Sequence, residues 1–319
     1  MNLTSGSFES EKHKFAVAVG KNVTVVILGI TINYINATMI NTFMKHHIFK
    51  INPRYVLFIH LVFNDTIQLT ISILLFIFST NSYTLYVPLC CLLILPAIFT
   101  TQNTPLNLAC MAVECYIAVC MPLHSNHICT VKKTYVVISV IWTLSSLSVL
   151  PDLFILLATE SQQFLESRVF CHRDNVFRSP YSQKKRDVSH SLFLVVVWLT
   201  LFYTYIRILF VARSANTDTK KASNTILLHG FQALLCVMNY VNPMLFRVLV
   251  YLFPGEFHYI NFILFIINHV LPRFISPVIY GLRDTTFRKY FKKYLLCSNQ
   301  LEVFKNGMGC VLTASIIMP

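Results

Sequence analysis

Charged residues are scarce in this chain of 319 amino acids, where they make up 12% of the sequence against 55% for hydrophobic residues. A soluble domain carries about 25% charged residues, so half the usual charge cannot cover a surface that faces water. The remaining surface must face an apolar medium, and a lipid bilayer is the simplest candidate. The low charge therefore excludes an ordinary soluble domain and favours a membrane protein.

Other signals are also missing. The ten cysteines show no paired CxxC spacing, and no set of nucleophile, base and orienting group and no HExxH motif indicates a catalytic centre. We therefore predict neither an enzyme nor a bound metal or cofactor. The first residues lack the basic start, apolar core and cleavage site of a signal peptide. No internal repeat is visible, which weighs against a transporter.

Basic residues outnumber acidic ones, 26 to 13, for a net charge of +13. They lie mostly in short gaps between apolar runs, as in the loops of membrane proteins. This placement favours contact with membrane lipid over contact with nucleic acid.

Long apolar runs occupy most of the chain. A membrane-spanning helix needs about 20 predominantly apolar residues, and a helix satisfies its own backbone hydrogen bonds in lipid. The pattern predicts an all-α, polytopic membrane protein with a bundle of seven transmembrane helices. The seven runs lie at about 23–44, 55–79, 86–120, 134–158, 188–212, 222–252 and 259–282.

The gaps between runs indicate an orientation. Basic residues are more numerous in alternate gaps and in the tail after Arg283 than on the other side, although the 159–187 loop is also basic. By the positive-inside rule the N-terminus is extracellular and the C-terminus cytoplasmic, and we predict a multi-pass plasma-membrane protein. The Asn2 sequon then lies where it can be glycosylated. The predicted parts are an N-terminal tail (1–22), a transmembrane domain (23–282), an amphipathic helix (283–297) and a tail (298–319).

Polar side chains inside apolar runs are costly and usually functional. Asparagines there are interpreted mainly as hydrogen-bonding links between helices. Asp65 is a single carboxylate in the second run, with Asn36 in the first and Ser276 in the seventh as polar companions. This set suits a buried ion or water site, and plain helix linkage is the alternative.

Two stretches carry a resemblance to a known family. The segment 111–123, MAVECYIAVCMPL, resembles the MA-x-[DE]RY-x-A-x-C-x-PL signature of odorant receptors among rhodopsin-like receptors, and 272–284, PRFISPVIYGLRD, resembles their PxIYxLR form of the NPxxY motif. The stretches 101–109 and 224–230 look like a fish odorant receptor group. The resemblance runs from about residue 15 to Cys297. It implies a receptor that binds a small-molecule odorant in the outer half of the bundle and signals to a heterotrimeric G protein.

The resemblance also implies roles for particular residues. It implies a disulfide between Cys90 and Cys171. It implies a switch and G-protein coupling region formed by Glu114, Cys115, Tyr116, Tyr205, Pro277 and Tyr280.

One departure bears on signalling. The family has arginine where this chain has Cys115, so Glu114 is expected to lack its usual partner. A receptor of the same fold that does not signal is therefore an alternative. A small-solute or ion transporter, with Asp65, His269 and Arg273 along its path, is a more distant one.

Span position alone nominates the ligand-binding residues Thr101, Gln102, Asn239, Asn242, Arg247 and His269. Arg247 would suit an anionic ligand such as a carboxylate, or its side chain extends to the membrane interface without binding anything. After the seventh run, aromatic residues at 287, 290, 291 and 294 alternate with basic residues at helical spacing. This pattern predicts an amphipathic helix on the membrane surface, and Cys297 at its end is a candidate for palmitoylation.

Overall fold

The computed structural model describes residues 3–81, 83–213, 230–231, 234–235, 237–238, 241–242, 244–275 and 285–305. Nearly all of these residues are helical. The helices are α1 (Leu3–Lys45), α2 (His47–Lys50), α3 (Pro53–Thr80), α4 (Val87–Cys120), α5 (Pro122–Ile128), α6 (Val131–Thr159), α7 (Gln162–Leu165), α8 (Arg173–Val176), α9 (Pro180–Arg213), α10 (Phe257–Phe265) and α11 (Thr285–Lys305). A π-helical turn, Ile266–Val270, continues α10.

Within the described ranges, five helical segments are long and apolar enough to cross a membrane. They lie in α1, α3, α4, α6 and α9, and they match the first five predicted runs. Residues 244–252 of the sixth run are helical. The seventh run contains the shorter apolar helix Tyr259–Ile275.

Two predicted boundaries fall inside continuous helices. Helix α1 already begins at Leu3, so residue 22 does not separate a tail from a helix. Helix α11 continues to Lys305, eight residues beyond the predicted end at 297. The change from polar to apolar composition marks where a helix can enter lipid, but charged helix formers such as Glu9 and Lys12 can continue the same helix outside it.

Hydrogen bonds between side chains join α3, α4 and α6 at the centre of the bundle. The Trp142 indole donates to His60 over 3.0 Å. The Ser145 hydroxyl donates to Asn103 over 2.6 Å, and the Asn103 amide donates to Asn64 over 3.5 Å. Each such bond inside a membrane stabilises the packing by about 0.6 kcal/mol. The interpretation of buried asparagines as links between helices is confirmed for Asn64 and Asn103.

Helix α11 lies against the ends of α1, α2 and α3. Its Phe287 is buried, with ring centroids 5.1 Å from Phe49 of α2 and 5.7 Å from Phe58 of α3. Phe291, one turn further, is also buried. The basic side chains are exposed on the other face, at Arg288, Lys289, Lys292 and Lys293. The predicted amphipathic helix is thus present.

The opposite end of the bundle, called the disulfide end below, carries two short strands. Strand β1 (Thr84–Tyr86) pairs antiparallel with β2 (Arg168–Phe170). Next to them Cys90 of α4 is bonded to Cys171, with the Cα atoms 5.4 Å apart. This confirms the disulfide pairing that the family resemblance implied. The strands were not predicted, because three residues are too few to show an alternating pattern.

We predict that non-reducing digestion of the folded protein yields a peptide pair linked through Cys90 and Cys171. Cys171→Ser should abolish the linked pair and lower the free energy of unfolding by about 2–5 kcal/mol. The matched control is Cys91→Ser, because Cys91 is buried beside Cys90 and outside the disulfide. A freely alkylated Cys171 thiol in the folded wild-type protein would contradict the pairing.

Candidate functional site

A cavity of about 620 Å³ opens at the disulfide end between α3, α4, α9 and α10. Strand β2 and helix α8 lie over it, since Phe170, Cys171 and Arg173 contribute to its lining. The volume falls within the range of about 300–1,000 Å³ that is usual for small-molecule sites.

The lining changes character with depth. The residues deepest along their helices are polar and include Gln68 of α3, Thr101 of α4 and His269 of the π turn. The walls carry large apolar side chains, from Leu75, Phe76, Ile94, Ile98, Leu194 and Phe265, with polar residues such as Ser72, Ser79, Ser191 and Asn261 between them. The rim carries charged residues from the loop and the start of α9, namely Arg173, Asp174, Arg186 and Asp187.

Some of the predicted ligand-binding residues line the cavity and others do not. Thr101, Asn242 and His269 line the cavity. Gln102 is buried elsewhere and donates to Ser148 over 3.2 Å, because one step along an α-helix turns the side chain by about 100° from Thr101. Arg247 is exposed and is not among the lining residues. The anionic-ligand interpretation of Arg247 therefore has no support from its position.

Three deep lining residues were missed from the sequence. Gln68 and Ser72 lie one turn apart on the α3 face that also carries Asp65, and continuing that face by helical spacing would have found them. His190 of α9 also lines the cavity, with its Nε2 2.9 Å from the Gln102 amide. No sequence pattern distinguishes His190 from the polar residues before it.

The loop above the cavity is held by a buried carboxylate. Asp152 of α6 is 3% exposed and forms ion pairs with Arg173, at 3.4 Å, and with Lys185. Burial and the like charge of Arg186 lower the pKa of Arg173, while Asp152 opposes that shift. Asp152 thus joins α6, α8 and the start of α9 at one point.

A second ion pair lies at the rim. Arg186 contacts Asp174 at 2.6 Å and Asp187 at 3.1 Å. Burial alone would raise the pKa of Asp174, but the hydrogen bond and the charge of Arg186 hold it below its usual value. The two acids of the cavity lining are therefore both engaged by the same arginine.

Below the cavity, Asp65 faces an arginine. Arg273 Nε lies 3.9 Å from Asp65 Oδ1, and both side chains are 2% exposed. Arg273 also donates to the Asn268 carbonyl over 2.7 Å. That carbonyl lies four residues before Pro272, which has no N–H to offer it. Arg273 thus compensates for the proline and supplies the positive charge opposite Asp65.

The companions predicted for Asp65 are placed differently. The Asn36 amide donates to the hydroxyl of Thr66, the residue after Asp65, over 3.2 Å. Ser276 lies outside the described residues, as do Asn2, Asn239, Pro277 and Tyr280. The side chain of Cys297 is outside them too, so its modification and that of Asn2 remain predictions.

At the α11 end of the bundle, Glu114 lacks the motif arginine, whose place Cys115 takes, but it has a partner from another helix. Arg54 of α3 donates from Nε to Glu114 Oε2 over 3.1 Å. The Asn52 side chain caps α3 by accepting from the Arg54 N–H, which fixes the start of that helix. The two partners are 60 residues apart, so a local motif could not reveal the pair.

Cys115 follows Glu114 on α4 and belongs to an apolar cluster between α4 and α9. Its side chain is 4% exposed and packs with Ile208 of α9, and Tyr116 and Tyr205 lie against the same cluster. Three of the predicted switch residues are therefore together, between α4 and α9.

Comparison with known proteins agrees with this arrangement. Residues 35–280 match the family described as 7 transmembrane receptor (rhodopsin family). The chain belongs to this family. It is also 28% identical to Odorant receptor 131-2 of Danio rerio over 305 residues. This alignment covers 93% of the chain and 92% of that protein. The molecule is thus a multi-pass membrane receptor of the rhodopsin family and not an enzyme.

We predict that Asp152→Asn destabilises the receptor by about 2–3 kcal/mol, because it leaves the partly buried charges of Arg173 and Lys185 without their carboxylate. Thermal unfolding in nanodiscs measures the loss, and hydrogen exchange should rise over residues 168–176. The control is Asp174→Asn, at a side chain that is 48% exposed, where the loss should stay under about 1 kcal/mol. Equal losses in the two variants would contradict the anchoring role.

Proposed function

We propose that this protein is a chemosensory receptor that binds a small-molecule odorant in the cavity at the disulfide end. The observation that carries the proposal is the cavity, in which large apolar side chains of the walls lie above polar groups at the deep end. Such a lining holds the apolar body of a small molecule and orients it by hydrogen bonds. The similarity to Odorant receptor 131-2 supports the same conclusion.

The position of the cavity suggests how binding acts on the bundle. Gln68 lies one turn from Asp65 on α3, and His269 lies one turn from Arg273, so the deep end of the cavity adjoins the buried Asp65–Arg273 pair. A ligand that contacts both helices favours the arrangement in which those contacts are best. It shifts the population of states by its difference in affinity between them.

The partner that we propose is a heterotrimeric G protein, bound at the α11 end. The disulfide end is then extracellular, in keeping with the oxidising compartments in which disulfides persist. The basic face of α11 meets the anionic cytoplasmic leaflet. Arg54 provides the charge opposite Glu114, which supports a working switch, while Cys115 supports the alternative of a receptor that does not signal.

Filling the cavity tests the ligand site. Ile98→Trp places a larger side chain in the cavity wall and should reduce odorant-evoked responses at least tenfold at matched surface expression. Leu92→Trp is the matched control, because Leu92 lies on the same helix, is 69% exposed and does not line the cavity. Responses that survive Ile98→Trp and are lost in Leu92→Trp would place the ligand elsewhere.

A second experiment tests coupling. We expect wild-type receptor to give weaker odorant-evoked second-messenger responses than Cys115→Arg, because the buried cysteine cannot supply the charge that the family uses. Cys115→Ser separates loss of the thiol from gain of the charge. Arg54→Gln, alone and combined with Cys115→Arg, shows whether the two arginines compete for Glu114. Equal responses from wild type and Cys115→Arg at matched surface expression would contradict the prediction.

A further inference from the structure

Two side-chain carbonyl oxygens in the cavity lining are buried. They are Gln68 Oε1 and Asn242 Oδ1, and neither has a donor within the part of the chain that the structure describes. Both residues line the cavity, and Gln68 is only 2% exposed. Buried acceptors are normally satisfied, so these two atoms point to a ligand that brings the donors.

The orientation of the Gln68 amide is fixed by its neighbour. Gln68 Nε2 donates to the Thr101 hydroxyl, and that hydroxyl donates its own proton to the Ala97 carbonyl over 2.7 Å. Turning the amide over would place Oε1 against an oxygen whose proton is already used. The network therefore holds the NH₂ group against Thr101 and leaves Oε1 as the acceptor.

The charges nearby favour a neutral donor over a cationic one. Asp174 and Asp187, the carboxylates of the lining, are both paired with Arg186 at the rim. Asp65, one turn below Gln68, faces Arg273. An ammonium group at the deep end would be buried without a carboxylate of its own, which is unfavourable. A hydroxyl or a primary amide donates equally well and brings no charge.

We propose that the cavity binds a neutral amphiphile whose hydroxyl or primary amide donates a hydrogen bond to Gln68 Oε1, with Asn242 as the second acceptor. The apolar body of the ligand lies against Phe76, Ile98 and Phe265. Gln68 lies 12 residues from the end of α3, or roughly 18 Å along the helix, so the head group is the deepest part of the ligand. The inference rests on the proposed function in placing the ligand in this cavity.

The test measures binding, not signalling, on the full-length receptor in nanodiscs. Five probes share a ring and differ in head group: benzyl alcohol, benzamide, benzyl methyl ether, benzylammonium and benzoate. Saturation-transfer NMR titrations give their affinities. Benzyl alcohol and benzamide should bind at least fivefold more tightly than the other three, which is about the effect of one hydrogen bond.

Variants assign the effect to Gln68. Gln68→Met keeps the length of the side chain and removes the carbonyl, and it should weaken benzyl alcohol and benzamide about fivefold while leaving benzyl methyl ether unchanged. Asn33→Leu is the matched control: Asn33 Oδ1 is also buried without a donor in the described part of the chain, but Asn33 does not line the cavity. It should change none of the affinities.

The proposal is overturned if the ether binds as tightly as the alcohol, if benzylammonium or benzoate binds most tightly, or if no probe binds. If Gln68→Met does not fold, the order of the five probes on wild type decides alone. Odorant-evoked signalling is measured in parallel. If the five probes bind the wild-type receptor in the predicted order but none evokes a signal, the result counts against the proposed function and supports this inference.

Discussion

A polar side chain inside a hydrocarbon layer has no water to bind, and it must find its partner on a neighbouring helix. The packing of this receptor follows from that constraint. His60 and Asn64 of α3 contact Trp142 and Asn103 on the adjacent helices, so these hydrogen bonds fix the register of the three helices. Apolar side chains alone would not select this register, because lipid chains solvate them as well as a neighbouring helix does.

Three acids of the bundle also have their partners on other elements. Asp152 near the disulfide end, Asp65 in the middle and Glu114 near α11 each face a cation from another element. Three acids thus mark three levels along the bundle, and each joins segments that are distant in sequence. The cavity lies between the first two levels, so an ion pair holds the loop above it and another lies next to its deep end.

The parts of this structure that follow from a local sequence pattern were predictable. Apolar runs gave five spans, and aromatic spacing gave the buried face of α11 with Phe287 and Phe291. The family resemblance gave the Cys90–Cys171 bond. Interactions between distant residues were not predictable, because no periodicity links Arg54 to Glu114 or Asp152 to the loop. The side of a helix is equally hard to assign: Thr101 lines the cavity and its neighbour Gln102 does not.

The Arg54–Glu114 pair has a mechanical meaning that the family motif lacks. When acid and arginine are neighbours on one helix, their contact is internal to that helix and does not connect it to another helix. Here the contact joins a residue of α3 to a residue of α4, so it links two helices. Any movement that separates these two residues must stretch or break it. The pair therefore resists the separation of α3 from α4 at this end of the bundle.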